Sequence, residues 1–173
     1  MRPAVRDDIP ALAGLIEASV RGLGPPHYAP AQVESSLEHL FGVDTSMIDD
    51  GTYLVIEEDA ELVACGGWSR RRTPFGGDRA TPFRNEEVRD PTADPVVMRA
   101  FFVHPIHARR GLGRRLVEAS EEAARAEGFR SFELVSTLPG LPLYRALGYR
   151  EVEPLDIRLP DGVVIEAVRM EKP

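Results

Sequence analysis

Three consecutive segments decide the reading of this chain: Val96–Val103 (VVMRAFFV), His104–Gly113 (HPIHARRGLG) and Arg114–Gly128 (RRLVEASEEAARAEG). They have the pattern of a buried strand, a loop of glycine and arginine, and an amphipathic helix opening directly on the glycines. A helix start leaves its first backbone N–H groups unpaired and carries partial positive charge, which favours an anion. Gly111 and Gly113 lack a Cβ, so a ligand can approach the backbone closely there. Arg109, Arg110, Arg114 and Arg115 surround the same turn with donors shaped for phosphate. These are the parts of a pyrophosphate cradle. A Gly-x-Gly that merely starts a helix, beside arginines that merely face solvent, would use the same residues. Position favours the cradle, because the loop joins a strong strand to a long helix in an otherwise acidic protein.

The bulk numbers narrow the classes. A chain of 173 residues predicts one domain over 1–173, able to bury roughly two thirds of its unfolded surface. The net charge of −7 gives no bulk attraction to nucleic acid or to an anionic membrane, so neither is expected as a partner. A single cysteine, Cys65, rules out an internal disulfide and a cysteine-based zinc site. His104 and His107 show no metal-ligand spacing with a partner, and no metal is expected. No apolar run reaches the ~18–20 residues that span a bilayer. The opening MRPAVRDDIP has no apolar signal region, and the expected location is cytoplasmic.

Outward from the central stretch, the chain reads as alternating elements. Arg2–Arg6 predicts a short strand, with Asp7 and Asp8 as caps for a helix carrying Ile9, Leu12, Leu15, Ile16 and Val20 on one face. Gly22, Gly24, Pro25 and Pro26 break that helix, and a second runs from about Pro30 to Gly42. Thr52–Glu57 and Glu61–Trp68 form a hairpin, with Gly66 and Gly67 marking a bulge. Residues 70–94 have no period and read either as a lid or as a disordered excursion. Beyond Gly128, Phe129–Ser136 is a strand whose helical crossover implies parallel pairing with the central one. Leu141–Leu147 is a short helix stopped by Gly148. Glu151–Leu159 and Val163–Glu171 make a last hairpin about Asp161-Gly162.

Two segments, Phe101–Leu116 (FFVHPIHARRGLGRRL) and Ser136–Glu153 (STLPGLPLYRALGYREVE), together resemble the signatures of the GNAT superfamily of N-acetyltransferases. The first is similar to that family's Gln/Arg-x-x-Gly-x-Gly/Ala motif for the acetyl-CoA pyrophosphate. The second is similar to its x-Leu-Tyr-x-x-x-Gly-Phe/Tyr segment, here Leu143 to Tyr149. The resemblance implies a single α/β domain with a mixed, mostly antiparallel sheet, splayed at its centre and flanked by helices. It implies acetyl-CoA as co-substrate and transfer of acetyl to a primary amine, by direct attack through a tetrahedral intermediate. Phe101, Phe102 and Val103 would pair with the pantetheine arm through their backbone. Arg109, Arg110, Gly111, Leu112, Gly113 and Arg114 would wrap the pyrophosphate. Thr137 stands where many relatives carry a cofactor-contacting Asn, and Tyr144 would sit by the sulfur as general acid and cofactor contact.

The departures from the pattern matter as well. Ala108 replaces the motif's leading Gln/Arg, so that side-chain contact is missing. The central strand carries no acidic residue, which leaves Glu133 on the next strand as the nearest candidate base. For the acceptor, a small-molecule or peptide amine, the candidates are His27 and Tyr28 between the first helices, with Trp68 and Arg70 where a strand leaves the sheet. Each of these also has an ordinary structural reading. Family resemblance is compatible with a homodimer. A Rossmann reading of Gly111-Leu112-Gly113 fails because Leu116 stands at the third glycine position and the loop is too long. A P-loop is excluded by the absence of Gly-x4-Gly-Lys-Ser/Thr. A non-catalytic acyl-CoA sensor on the same fold is the alternative function.

Overall fold

The structure, a computed structural model, describes residues 1–173. Its strands are β1 (Arg2–Pro3), β2 (Tyr53–Glu58), β3 (Glu61–Ser69), β4 (Val96–Val103), β5 (Phe132–Thr137), β6 (Arg150–Arg158) and β7 (Val164–Lys172). They form one seven-stranded sheet in the order β1-β2-β3-β4-β5-β7-β6. Every neighbouring pair is antiparallel except β4 and β5. The helices are α1 (Ile9–Leu23), α2 (Pro30–His39), α3 (Thr45–Asp49), α4 (Leu112–Ala126) and α5 (Leu141–Ala146). The mixed, mostly antiparallel sheet expected from sequence is present, with its one parallel pair where the helical crossover required it.

Helices cover both faces. α1 buries Leu12, Leu15 and Ile16 against Tyr53, Val55 and Cys65 of the β2–β3 hairpin. On the other face α4 buries Val117 and Ala124 against Trp68, Met98 and Phe132. Its inner stripe thus runs Leu112, Leu116, Val117, Ser120, Ala124, while Ala119 and Ala123 sit at the stripe's half-buried margin. Glu121 of the same helix is also buried. It accepts hydrogen bonds from Tyr149 Oη (2.9 Å), from Lys172 Nζ (2.7 Å) and from the expected i+4 partner Arg125 (3.0 Å). A buried carboxylate persists only when so paired.

Four local points differ from the sequence reading. β1 is two residues long, and Arg6–Asp8 form a 3-10 turn. Asp8 does not cap α1 with its side chain; its carboxylate takes the Val5 N–H (2.8 Å) and both ends of the Arg2 guanidinium (2.7 and 2.8 Å). α3 was not legible as a helix, although Asp44 caps it by accepting from Met47 N–H at 3.2 Å. Finally, the bulge signalled by Gly66 and Gly67 puts its extra residue on the partner strand. Cys65 pairs with Phe102 and Gly67 with Arg99, so Gly66 alone faces Ala100 and Phe101.

That two-against-one arrangement bends β4. Ala100 carries φ +61°, a left-handed conformation that L-residues resist by roughly 1–2 kcal/mol. Tyr53 Oη, 3.4 Å from the Ala100 carbonyl, donates to it. Below the bulge β4 pairs with β5 at Val96–Phe132 and Val97–Glu133; above it the two strands separate. The β5-facing backbone groups in the upper half of β4 therefore have no strand partner.

The excursion over residues 70–94 is ordered. It contains a 3-10 turn at Thr81–Phe83 and an isolated bridge between Arg71 and Val88. Arg71 reaches Asp50 (2.8 Å), Arg72 reaches Asp94 (2.9 Å) and Gly77 N–H bonds the Leu40 carbonyl at the end of α2 (2.9 Å).

A Cβ on Gly66 would lie 2.1 Å from Cδ1 of Phe101. Gly66→Ala is therefore expected to destabilise the fold by about 1–3 kcal/mol, the usual cost of overpacking, measured by urea unfolding. Adding Phe101→Ala should restore most of that loss; no restoration would mean that the strain lies in the backbone and not in the ring.

Candidate functional site

Where β4 and β5 part, two clefts meet. The first encloses about 190 Å³ between α1, the upper end of β4 and the start of α4. The second encloses about 70 Å³ and has the excursion's Pro74–Gly77 as its far wall. They share Phe41, Phe101, Phe102, Thr137 and Tyr144, so a group in one lies next to a group in the other.

The glycine and arginine loop closes one end of the first cleft. A 3-10 turn at Pro105–His107 leads into Arg109 (φ +64°) and Gly111 (φ +83°), after which α4 begins. No side chain caps that helix start, so its first N–H groups are left for a ligand. A Cβ on Gly111 would meet nothing within 4 Å, whereas one on Gly113 would come to 3.0 Å from Leu143. Leu112 does not join the cradle with its side chain, which is buried with Ile56 and Leu116. Arg110 is paired with Glu58 (3.0 Å) and Arg114 with Glu118 (3.2 Å). Arg109 and Arg115 have no acidic partner, and theirs are the free charges at the helix start. The Val103 N–H is directed at Ser19 Oγ of α1 (3.3 Å), which competes for a group expected to face the ligand.

Tyr144, on α5, stands at the junction. Its ring meets Phe101 edge-on at 6.4 Å and Tyr149 at 5.8 Å. Gly140 makes the ring's position attainable: a Cβ there would lie 3.0 Å from the ring and 2.9 Å from Ser136 Oγ. Burial alone pushes the phenol above its ordinary pKa, with no neighbouring charge contributing. A helix start over a cleft, free strand backbone and a buried tyrosine are thus gathered at one point.

The family model described as the acetyltransferase (GNAT) family matches residues 22–149. The chain belongs to that family. No curated protein sequence matches the chain. Among solved structures, it is similar to a GCN5-related N-acetyltransferase from Rhodopseudomonas palustris (TM-score 0.71, 18% identity, covering 99% of this chain and 92% of that one). It is similar also to a ribosomal-protein-alanine N-acetyltransferase from Brucella melitensis (0.63, 19%, 99% and 97%). A third is a phosphinothricin acetyltransferase from Sinorhizobium meliloti in complex with acetyl-CoA (0.64, 20%, 99% and 86%). At these identities the likeness is one of fold.

Within this acetyltransferase, several residues read from sequence as acceptor contacts lie elsewhere. Trp68 is 3% exposed in the core beneath α4, edge-on to Phe129 at 6.0 Å, because strand alternation turns it to the α4 face. Arg70 follows it there, bonding Glu127 (2.9 Å) and stacking over the Trp68 ring. His27 is exposed and borders neither cleft. Tyr28 does line the first cleft, and its hydroxyl ties three segments together, donating to the Glu166 carbonyl (2.7 Å) and accepting from Leu138 N–H (2.9 Å). Glu133 borders neither cleft: its register partner is Val97, below the bulge, and Arg89 holds its carboxylate. It is not placed to take a proton from an amine at Tyr144.

Arg99, the charged residue of the second cleft, carried no mark in the sequence beyond an odd charge in an apolar strand. Its guanidinium is paired with the buried Asp44 and donates to the carbonyls of Thr73 (2.9 Å) and Gly76 (2.7 Å). Asp44 also receives Arg84 at 3.0 Å. Burial pulls the Arg99 pKa down to about 10, still far above neutrality, so it remains a cation. No cluster of three or more His, Cys, Asp or Glu side chains is placed to hold a metal, and no helix is long and apolar enough to cross a membrane.

Removing Asp44 would leave the buried Arg99 without a counter-ion, while Arg84 keeps Glu86 (2.9 Å). Asp44→Ala should cost about 3–5 kcal/mol in urea unfolding, the range for breaking a buried pair on one side. A loss below about 1 kcal/mol would show that the excursion does not depend on this carboxylate.

Proposed function

We propose that residues 1–173 of this acetyl-CoA-dependent acetyltransferase act as one unit, that Tyr144 is its general acid, and that an amine is acetylated by direct attack at the junction of the two clefts. The observation that carries this reading is the meeting of both clefts at Tyr144, with a helix start over one of them.

The residues present fit acetyl-CoA, which supplies an activated acetyl thioester. The uncapped N–H groups of α4, with Arg109 and Arg115, would hold its phosphates. The unpaired upper backbone of β4 would hold the pantetheine amides as an added strand does. Phe101, Phe102 and Thr137 would flank the thioester where the clefts join. In the transfer, the acceptor nitrogen bonds to the acetyl carbon and the carbon–sulfur bond breaks. The nitrogen loses one proton to solvent, and the sulfur gains one from Tyr144, which solvent then restores. Backbone N–H groups of the parted strand would face the oxyanion of the tetrahedral intermediate.

Two features support direct attack over an acyl-enzyme. The one cysteine, Cys65, is fully buried with its sulfur 3.3 Å from Tyr53 Oη, and burial pushes its thiol up to about 12. Such a thiol is not a nucleophile at neutral pH. Neither cleft contains a histidine or carboxylate that could activate another.

Tyr144→Phe is expected to lower kcat by about a hundredfold or more while leaving the acetyl-CoA Kd unchanged, the mark of a proton donor and not of a binding contact. An unchanged kcat would assign the proton to a different donor, and acetyl-CoA binding without turnover of any amine would favour an acyl-CoA sensor. The sign of the pH effect follows from burial. A raised phenol pKa keeps the donor protonated further into the alkaline range, so the limb of the kcat profile owed to Tyr144 should fall above pH ~10. Acetyl-CoA at 100 times its Kd should add about 2.7 kcal/mol of stability in a thermal-shift titration, and NAD or ATP none.

A further inference from the structure

The second cleft selects by what its wall lacks. Phe41, Phe75, Phe101, Phe102 and Tyr144 give it an aromatic lining, and Met98 and Val135 add aliphatic surface. Its one charged residue is Arg99, a buried cation whose counter-ion Asp44 is already shared with Arg84. No carboxylate and no histidine lines it. An ammonium ion entering this space would shed its water beside a guanidinium with no anion in the lining to receive it, a cost that the ring faces offset only in part. An amine that arrives uncharged meets none of these costs.

Building on the proposed site, we infer that the acceptor is a neutral α-amine on an apolar side chain, such as an amino-acid amide or an apolar peptide N-terminus. Lysine ε-amines and polyamines are excluded by the same wall. The discrimination has a physical scale. An α-amine titrates near 7.7–8.0 and an alkylamine near 10.4, so at pH 7.5 roughly a third of the first is neutral and about a thousandth of the second. With no side chain in the cleft to take the proton, that fraction passes directly into kcat/KM. The wall that imposes this is fixed in place. Gly76 and Gly77 are packed so closely that a Cβ on either would lie 2.3 Å from Ala80 or from the Gly42 carbonyl, and Phe75 stacks on Phe83 at 4.9 Å.

The test is a kcat/KM series at saturating acetyl-CoA with phenylalaninamide, 2-phenylethylamine, Nα-acetyl-lysinamide and spermidine, at pH 7.5 and 9.5. Phenylalaninamide should exceed 2-phenylethylamine by about three hundredfold at pH 7.5, and the gap should narrow to about tenfold at pH 9.5 as the alkylamine loses its proton. Phe75→Glu, which places a carboxylate on the wall, should raise the relative rate of spermidine at least tenfold. Preference of the unmodified enzyme for spermidine or the lysine amine overturns the inference. So does a gap that does not move with pH, or no turnover of phenylalaninamide by an enzyme that acetyl-CoA stabilises. Failure of acetyl-CoA to stabilise the protein would instead sink the site reading itself.

Discussion

Two residues of β4 face one residue of β3, and the working parts of this enzyme descend from that mismatch. Ala100 and Phe101 opposite Gly66 turn the upper half of β4 away from β5. A sheet that parts in the middle would ordinarily expose unpaired backbone, which is costly unless something binds it. Here the gap is roofed by α1 on one side and by α4 and α5 on the other. The backbone left over is presented to a cleft. The strain at Ala100 is small beside what the surrounding core contributes, and Tyr53 holds its carbonyl from behind.

The bulge also sets the second cleft. Arg99 directly precedes it, and its guanidinium points back through Asp44 and two carbonyls to fasten the excursion over residues 70–94. A segment with no period has few apolar anchors, here Phe75, Ala80 and Phe83 packed on the cluster around Leu40. It is held as well by charge pairs, several of them half-buried, and by backbone bonds to the end of α2. The first cleft rests on a helix start and strand backbone, which vary little with side chain. The second cleft rests on particular arginines, aspartates and phenylalanines.

That contrast explains what the sequence disclosed. The strand, glycine loop and amphipathic helix from Val96 to Gly128 are local patterns, and so are the stops at Gly128 and Gly148, both at positive φ. Tyr144 was legible because its segment repeats a known spacing. Trp68 and Arg70 were misplaced because a strand's two faces cannot be told apart from an apolar run that is buried on both. Glu133 was drawn in because it lies on the strand next to the central one, yet register puts it below the bulge. The Asp44–Arg99 pair joins residues 55 positions apart, and Glu121 meets Lys172 across 51. No period or spacing announces such partners; only the fold brings them together.

Each catalytic cycle of this enzyme releases a free thiol. Proteins that handle thiols are prone to be trapped through their own sulfur, since an accessible thiolate forms a mixed disulfide with the product whenever an oxidant is present. Cys65 is sealed beneath α1, protonated and held by a tyrosine. The enzyme therefore offers its product no accessible thiolate to couple to.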